Sequence, residues 1–190
     1  MADLITIEYY KQAKALTSAK DEERLGIIVP SVSQLVKTYC GNSFVDYITV
    51  PYTEYLTNDW PTCRLLLTEI PIISVSEVWE RTDPTSDYVQ LTEDEDFVID
   101  DRVDMIDRLG TNWPTGVKAV KVTYTAGYAE LPTDLTLAVI DLISYYFYDE
   151  RKTQKQLFGA SITQSGTTTL NGNIGFPDHI KRVLDLYRQI

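Results

Sequence analysis

The 190-residue chain is acidic, with 17 basic and 28 acidic side chains and a net charge of −11; a general nucleic-acid binder, which draws its affinity from Lys and Arg neutralising phosphates, is excluded. Hydrophobic residues at 44% and charged residues at 24% fit an ordinary globular protein and exclude disordered, collagen-like and disulfide-scaffold classes. The length suits one compact domain with arms or two small ones, and Cys40 and Cys63 read as reduced thiols.

Residues Met1 to Thr6 show no basic segment followed by an apolar run. The most apolar stretch, Leu135 to Tyr148, is shorter than a membrane span and contains Asp141, so a soluble protein of a cytoplasm is expected. Thr6 caps a predicted helix from Ile7 to Leu16, and Ser18 with Asp21 resembles a capping box opening a second helix from Ala19 to Cys40. Leu25, Ile28, Val29, Val32, Leu35, Val36 and Tyr39 give that helix one apolar face, and Gly41-Asn42 stops it. Pro30, inside it, is expected to kink the helix or divide it.

Between Phe44 and Tyr124 the texture changes to short runs of Val, Ile, Thr and Tyr broken by prolines, a β-rich region. Predicted strands are Tyr47 to Leu56, Thr62 to Leu67, Val75 to Arg81, Phe97 to Ile99 and Val117 to Tyr124, with the register between Tyr88 and Arg108 left open. Gly127 permits a tight turn. Leu131-Pro132-Thr133-Asp134 then leads into a helix over 134–152 that is apolar nearly all round, marking it as central to a core or an interface.

Residues 159–175 are rich in Gly, Thr, Ser and Asn, a flexible arm that Asn171-Gly172 can tighten into a hairpin. Pro177 and Asp178 open a last helix with Ile180, Val183, Leu184 and Tyr187 on one stripe, opposite Lys181, Arg182, Asp185 and Arg188. Such a helix either docks into a groove on a partner or folds back on its own domain. The 13 tyrosines suit surfaces that are wet in the free subunit and buried after assembly.

The templates for chemistry fit poorly. His179 is the single histidine and has no nucleophile and acid arranged with it. Cys40, Cys63 and His179 are too scattered for zinc, and neither GxxxxGK[ST] nor GxGxxG occurs. Asp94 and Asp96 imitate the start of a calcium loop, but Ile99 stands where its glycine and Met105 where its glutamate are required. Glu93, Asp94, Glu95, Asp96, Asp100 and Asp101 therefore read as a solvated acidic loop, within a stretch from Arg81 to Arg108 holding ten acids and three bases. No enzyme activity, metal or cofactor is expected.

Several segments in order resemble the head-tail connector (adaptor) proteins of tailed bacteriophages: Leu4-Ile5-Thr6-Ile7-Glu8, the Asp21 to Tyr39 helix with Cys40-Gly41, Leu65-Leu66-Leu67 through Pro71-Ile72-Ile73-Ser74-Val75 to Val78, and Phe176-Pro177 to Tyr187-Arg188. The most specific block is Val122-Thr123-Tyr124-Thr125-Ala126-Gly127-Tyr128 with Leu131-Pro132-Thr133-Asp134-Leu135 and Ala138. The resemblance implies an α+β fold, a small helical bundle with a β-rich insertion, in a connector domain over 1–158 and a C-terminal arm with a docking helix over 159–190. It also implies a virion ring, commonly of twelve copies, beneath the portal, joined to the tail or the next neck protein and lining the DNA channel without specific DNA binding or membrane contact.

By the same resemblance the portal contact maps onto Phe158, Phe176, Ile180, Lys181, Arg182, Val183, Leu184, Tyr187 and Arg188. The six carboxylates from Glu93 to Asp101 are expected to face the channel, where acidic walls let DNA slide. Another neck or tail-completion protein remains an alternative. So does a carbohydrate-binding or glycoside-cleaving β module using Trp60, Trp79 and Trp113.

Overall fold

In the computed structural model, residues 2–18, 20–149 and 176–188 are described. They form two compact units: Asp3–Gly41 with Leu131–Ile190, which is helical, and Met1–Ala2 with Asn42–Glu130, which is β-rich.

The helical unit begins with α1 (Ile7–Ala13). Thr6 is in extended backbone and its hydroxyl accepts from the Tyr9 amide at 3.1 Å, the expected N-cap. The helix stops short of the predicted Leu16 because Ala15 turns left-handed at φ 52°. The Leu16 amide reaches back to Lys11 O and the Ala15 amide to Gln12 O, which satisfies the last carbonyls. In α2 (Lys20–Cys40), Asp21, Glu22 and Glu23 stand at the positive end of the helix dipole.

Pro30 does not divide α2, which is 21 residues long. Pro30 and Gly26, whose carbonyl loses its amide partner, are both exposed, so that carbonyl faces solvent and is not stranded in the core. The opposite face buries Leu25, Val29, Val32, Val36 and Cys40.

Against it pack α3 (Thr133–Asp149), through Leu135, Val139, Leu142, Ile143 and Phe147, and α4 (Asp178–Leu186), through Ile180 and Leu184. Polar ties fix the register of the helices: Tyr10 Oη lies 3.1 Å from Ser144 Oγ, and Lys14 Nζ lies 3.4 Å from Asp141.

The β unit contains β1 (Tyr52–Asn58), β2 (Arg64–Leu66), β3 (Ile72–Glu80), β4 (Val89–Leu91), β5 (Phe97–Ile99), β6 (Met105–Arg108) and β7 (Gly116–Ala126). They make an antiparallel sheet in the order β1-β7-β3-β4 and a smaller one in the order β2-β6-β5. Leu65, Leu67, Val78, Leu91, Phe97, Ile106, Trp113, Val120, Val122 and Tyr124 from both sheets form one core. Along β7 the alternation of Val120, Val122 and Tyr124 with Lys121 and Thr123 turns one face inward, as the sequence pattern requires.

β1 starts at Tyr52 and not at Tyr47, directly after Pro51, because proline has no amide to give the ladder. Gly127, at φ 118°, lies so close to Phe44 that a Cβ would stand 2.4 Å from the Phe44 carbonyl oxygen. That oxygen accepts from the Tyr128 amide at 2.7 Å, so the turn after β7 is closed by backbone contact and only glycine fits.

Candidate interaction surfaces

The residues expected at a partner interface fall into distinct environments. In the helical unit, Phe176 is buried and meets the Tyr39 ring edge-on at 5.0 Å, while Ile180 and Leu184 are buried against the neighbouring helices. The helix thus takes the second course open to it and folds back on its own unit.

Three polar contacts hold it there. Tyr39 Oη donates to Asp185 at 2.5 Å, Tyr187 Oη donates to Asp134 at 2.7 Å, and the Cys40 thiol donates to Leu184 O at 3.6 Å. The Tyr187 hydroxyl keeps the Asp134 carboxyl below its ordinary range, and burial pushes the Cys40 thiol up to about 12. Of the predicted portal set, Lys181, Val183 and Tyr187 are half-buried, and Arg182 and Arg188 are exposed. Leu186 lies off the apolar stripe of the sequence and is 76% exposed. Phe158 and the predicted arm over 159–175 lie outside the described residues.

The six acidic candidates occupy two separate turns of the β unit. Glu93, Asp94, Glu95 and Asp96 connect β4 to β5, with Asp94 at φ 68°, and Asp100 and Asp101 open the connection from β5 to β6. Two of the six hold the fold. Asp96 accepts from the Thr92 amide at 2.9 Å and from Arg108 at 3.1 Å, which together draw its carboxyl below the ordinary range. Asp100 stays half-buried, with its backbone paired to Met105 and Val103. Glu93, Asp94, Glu95 and Asp101 are exposed.

Arg108 is the centre of an ionic clasp. Its side chain is only 8% exposed, grips Glu80 through two nitrogens at 3.1 and 3.3 Å, and also donates to Asp96. The clasp ties β3 of the larger sheet to the β4–β5 turn and β6. A second network surrounds Tyr124, whose hydroxyl donates to Glu54 at 2.9 Å and accepts from the Glu69 amide at 3.0 Å. Glu69 in turn accepts from the Ser43 amide and hydroxyl at 2.9 and 2.7 Å. Burial raises the Glu69 carboxyl despite these bonds, and the Tyr124 hydroxyl is pushed upward mainly for the same reason.

On the other face of the larger sheet a single row, Tyr55, Lys121, Trp79 and Gln90, crosses all four strands. Lys121 Nζ lies 5.8 Å from the Trp79 ring centre and Lys118 Nζ lies 5.3 Å from that of Tyr55, both within cation–π range. Thr53 bonds Thr123 across the next row, and Ser74 bonds Thr125 beyond that. The residues signalled this face only as alternation in β7; no one-dimensional pattern announces a row that spans four strands.

These surfaces carry little that resembles a reaction centre. His179 is exposed at the start of α4, and no group of three or more metal-ligating side chains occurs among the described residues. A shallow, open hollow lined by Arg81, Asp83, Thr115 and Val117 spans about 130 Å³ with the solvent at its mouth included, less than the roughly 300 Å³ of small ligand pockets. Trp113 is buried, with its indole donating to Cys63 O at 3.0 Å, Trp79 lies beneath a lysine, and Trp60 is 78% exposed. Trp113 therefore has no open face on which a sugar could stack. No helix among the described residues is long and apolar enough to cross a membrane.

The sequence model of the head completion proteins matches residues 3–190. The chain belongs to the head completion protein family. It is 23% identical over 189 residues to the head completion protein of Escherichia phage T5, covering 98% of this chain and 99% of that one. Solved structures share its fold. One is from the neck of an empty gene transfer agent particle computed with C6 symmetry, with TM-score 0.59, 16% identity, and coverage of 98% of this chain and 90% of that one. Another is from the neck of a native gene transfer agent particle computed with C12 symmetry, with TM-score 0.53, 17% identity, and coverage of 90% and 87%. Both units of the chain thus share the fold of these solved neck chains.

Proposed function

We propose that this chain is a structural component of a virion neck, assembled as a ring that joins the portal of the DNA-filled head to the tail or the next neck protein. The observation that carries the reading is the family match over nearly the whole chain, supported by a fold shared with neck chains of particles computed with six- and twelvefold symmetry. The ring has twelve copies in this reading and works by binding, without catalysis.

Within the ring, the outward side of α4 is the portal face. Arg182 and Arg188, with the half-buried Lys181, Val183 and Tyr187, offer cations and apolar edge to the partner, while Phe176, Ile180 and Leu184 hold the helix from beneath. Phe158 and the segment leading to α4 complete the portal contact. The acidic β unit is turned toward the passage, where exposed carboxylates such as Asp101 repel the DNA backbone and keep it from adhering.

Genetic depletion of the chain tests the reading. Cells lacking it should accumulate full heads without tails, and reconstruction of normal particles should give density for the chain between portal and tail. Tailed, infectious particles formed at the normal yield without it would refute the proposal.

A further inference from the structure

All of the net charge of the chain resides in the β unit, whose bounds contain seventeen acids and six bases, whereas the helical unit contains eleven of each. Copies of such a unit repel one another when set side by side. A ring contact through them requires cations not already engaged with acids of the same copy. Arg108 is held by Glu80 and Asp96, and Arg64 lies 3.4 Å from Asp107. Arg81, Arg102, Lys118 and Lys121 make no ion pair among the described residues; Arg81 donates to the carbonyls of Pro84, Val117 and Lys118, whereas Lys118 and Lys121 lean over aromatic rings of the larger sheet. The carboxylate beside Trp79 on that face, Glu77, accepts from the Trp79 indole at 3.1 Å and makes no ion pair with either lysine, so in a unit with this surplus of acid the two lysines are open to a carboxylate from outside.

The same unit presents the complement elsewhere. The turn bearing Glu93, Asp94 and Glu95 lies where β4, an edge of the larger sheet, gives way to β5, an edge of the smaller one. All three side chains are exposed, and their position on an edge connection leaves them at the margin of the unit. Closed rings are built from heterologous contacts, in which two different patches of the same chain meet. One cationic face and one acidic turn meet that requirement.

We infer that the face formed by Tyr55, Lys118, Lys121 and Trp79 receives the Glu93-Asp94-Glu95 turn of a second copy of this chain, and that this is a head-to-tail contact of the ring. The inference rests on the ring reading above. The aromatic rings form the floor of the contact and the lysines its charge. Excluding water over Tyr55, which is 49% exposed, strengthens each lysine–carboxylate attraction. The contact removes Glu93, Asp94 and Glu95 from the acids facing DNA and leaves Asp101 among them.

Charge exchange tests it in assembled particles. K118E/K121E and E93K/D94K/E95K should each reduce incorporation of the chain by about tenfold or more, because each sets like charges against each other. Co-expressed, the two should restore incorporation, since a ring with an even number of copies can alternate them. The variants change side chains that are exposed or, at Lys121, half-buried, and circular dichroism of the purified chains checks their fold.

A Cys63→Ser chain carrying D94C/K121C, treated in particles with a short bismaleimide, should give a ladder of linked multimers, with neither single cysteine giving it. Normal incorporation of either reversed chain, no rescue in the mixture, or no ladder in particles that contain the chain would each overturn the contact while leaving the neck reading intact. Altered DNA release from normally assembled K118E/K121E particles would assign the face to the genome and overturn it as well. Absence of the unaltered chain from the neck would remove both readings together.

Discussion

The two units of the chain are stabilised by different means. The helical unit is balanced in charge and relies on apolar faces: Leu25, Val29, Val36, Leu135, Leu142, Ile143 and Leu184 are fully shielded from water. The β unit carries the whole charge surplus and supplements a smaller core with two polar devices, the Arg108 clasp and the Tyr124 network. Burial without charge tolerates any electrostatic surrounding. A charged scaffold held by polar ties instead has its stability coupled to salt and pH, and gains exposed carboxylates and lysines for use at contacts.

The largest effect that tests this contrast comes from the apolar side. Leu142→Ala, at a fully buried site in α3, should destabilise the helical unit by about 4 kcal/mol. Hydrogen exchange should show the loss in α2 and α3 far more than in β7. Equal loosening of both units would mean that they unfold as one, and the contrast would fail.

Gly127→Ala should cost about 3 kcal/mol through backbone overlap with Phe44, visible as a lower denaturant midpoint and faster exchange at Tyr128. Arg108→Ala should cost about 3 kcal/mol, because it leaves the Glu80 carboxylate without its guanidinium partner. The loss should change little with salt, whereas the stability of the β unit as a whole should rise when salt screens its surplus charge.

The smallest effect is one of pH. Burial raises the Glu69 carboxyl above its ordinary 4.5, so the folded state binds a proton that the unfolded chain has already released. Its contribution is fully present below 4.5 and is lost as pH rises through the folded value. Glu69→Gln retains an oxygen to accept from Ser43. Its melting temperature should match the parent chain in acid and exceed it at neutral pH, and a difference of the opposite sign would place Glu69 in a different electrostatic setting.

Helices were read more fully from the residues than sheets were, for a physical reason. A helix writes its buried face into neighbouring positions: Leu25, Val29, Val32 and Val36 announce α2, and Thr6 announces the start of α1. β5 was found at its observed bounds because Phe97-Val98-Ile99 is apolar throughout. β4 and β6 were missed because each is three or four residues long and they include Gln90, Asp107 and Arg108, whose pairing is decided by residues distant in sequence. The early end of α1 was hidden as well, since nothing about an alanine signals a left-handed turn.

The acidic cluster was visible as composition. Its division into turn-holding Asp96 and Asp100 and exposed Glu93, Asp94, Glu95 and Asp101 was not, because the partner that claims Asp96 is Arg108, on the next strand but one-dimensionally remote. Ile180 and Leu184 formed a legible stripe that fits an internal groove as well as an external one; burial within the helical unit is a property of three-dimensional packing. The Tyr55 to Gln90 row belongs to the same category, assembled from four strands of which each supplies one residue.

The bond from the Cys40 thiol to Leu184 O has a practical corollary. With its thiol held protonated until about pH 12 and closed off from water, Cys40 is inert to thiolate-seeking dyes, while Cys63 is exposed. The natural chain therefore comes with one addressable sulfur, so that a fluorophore added without any mutation reports from a single known point on the β unit.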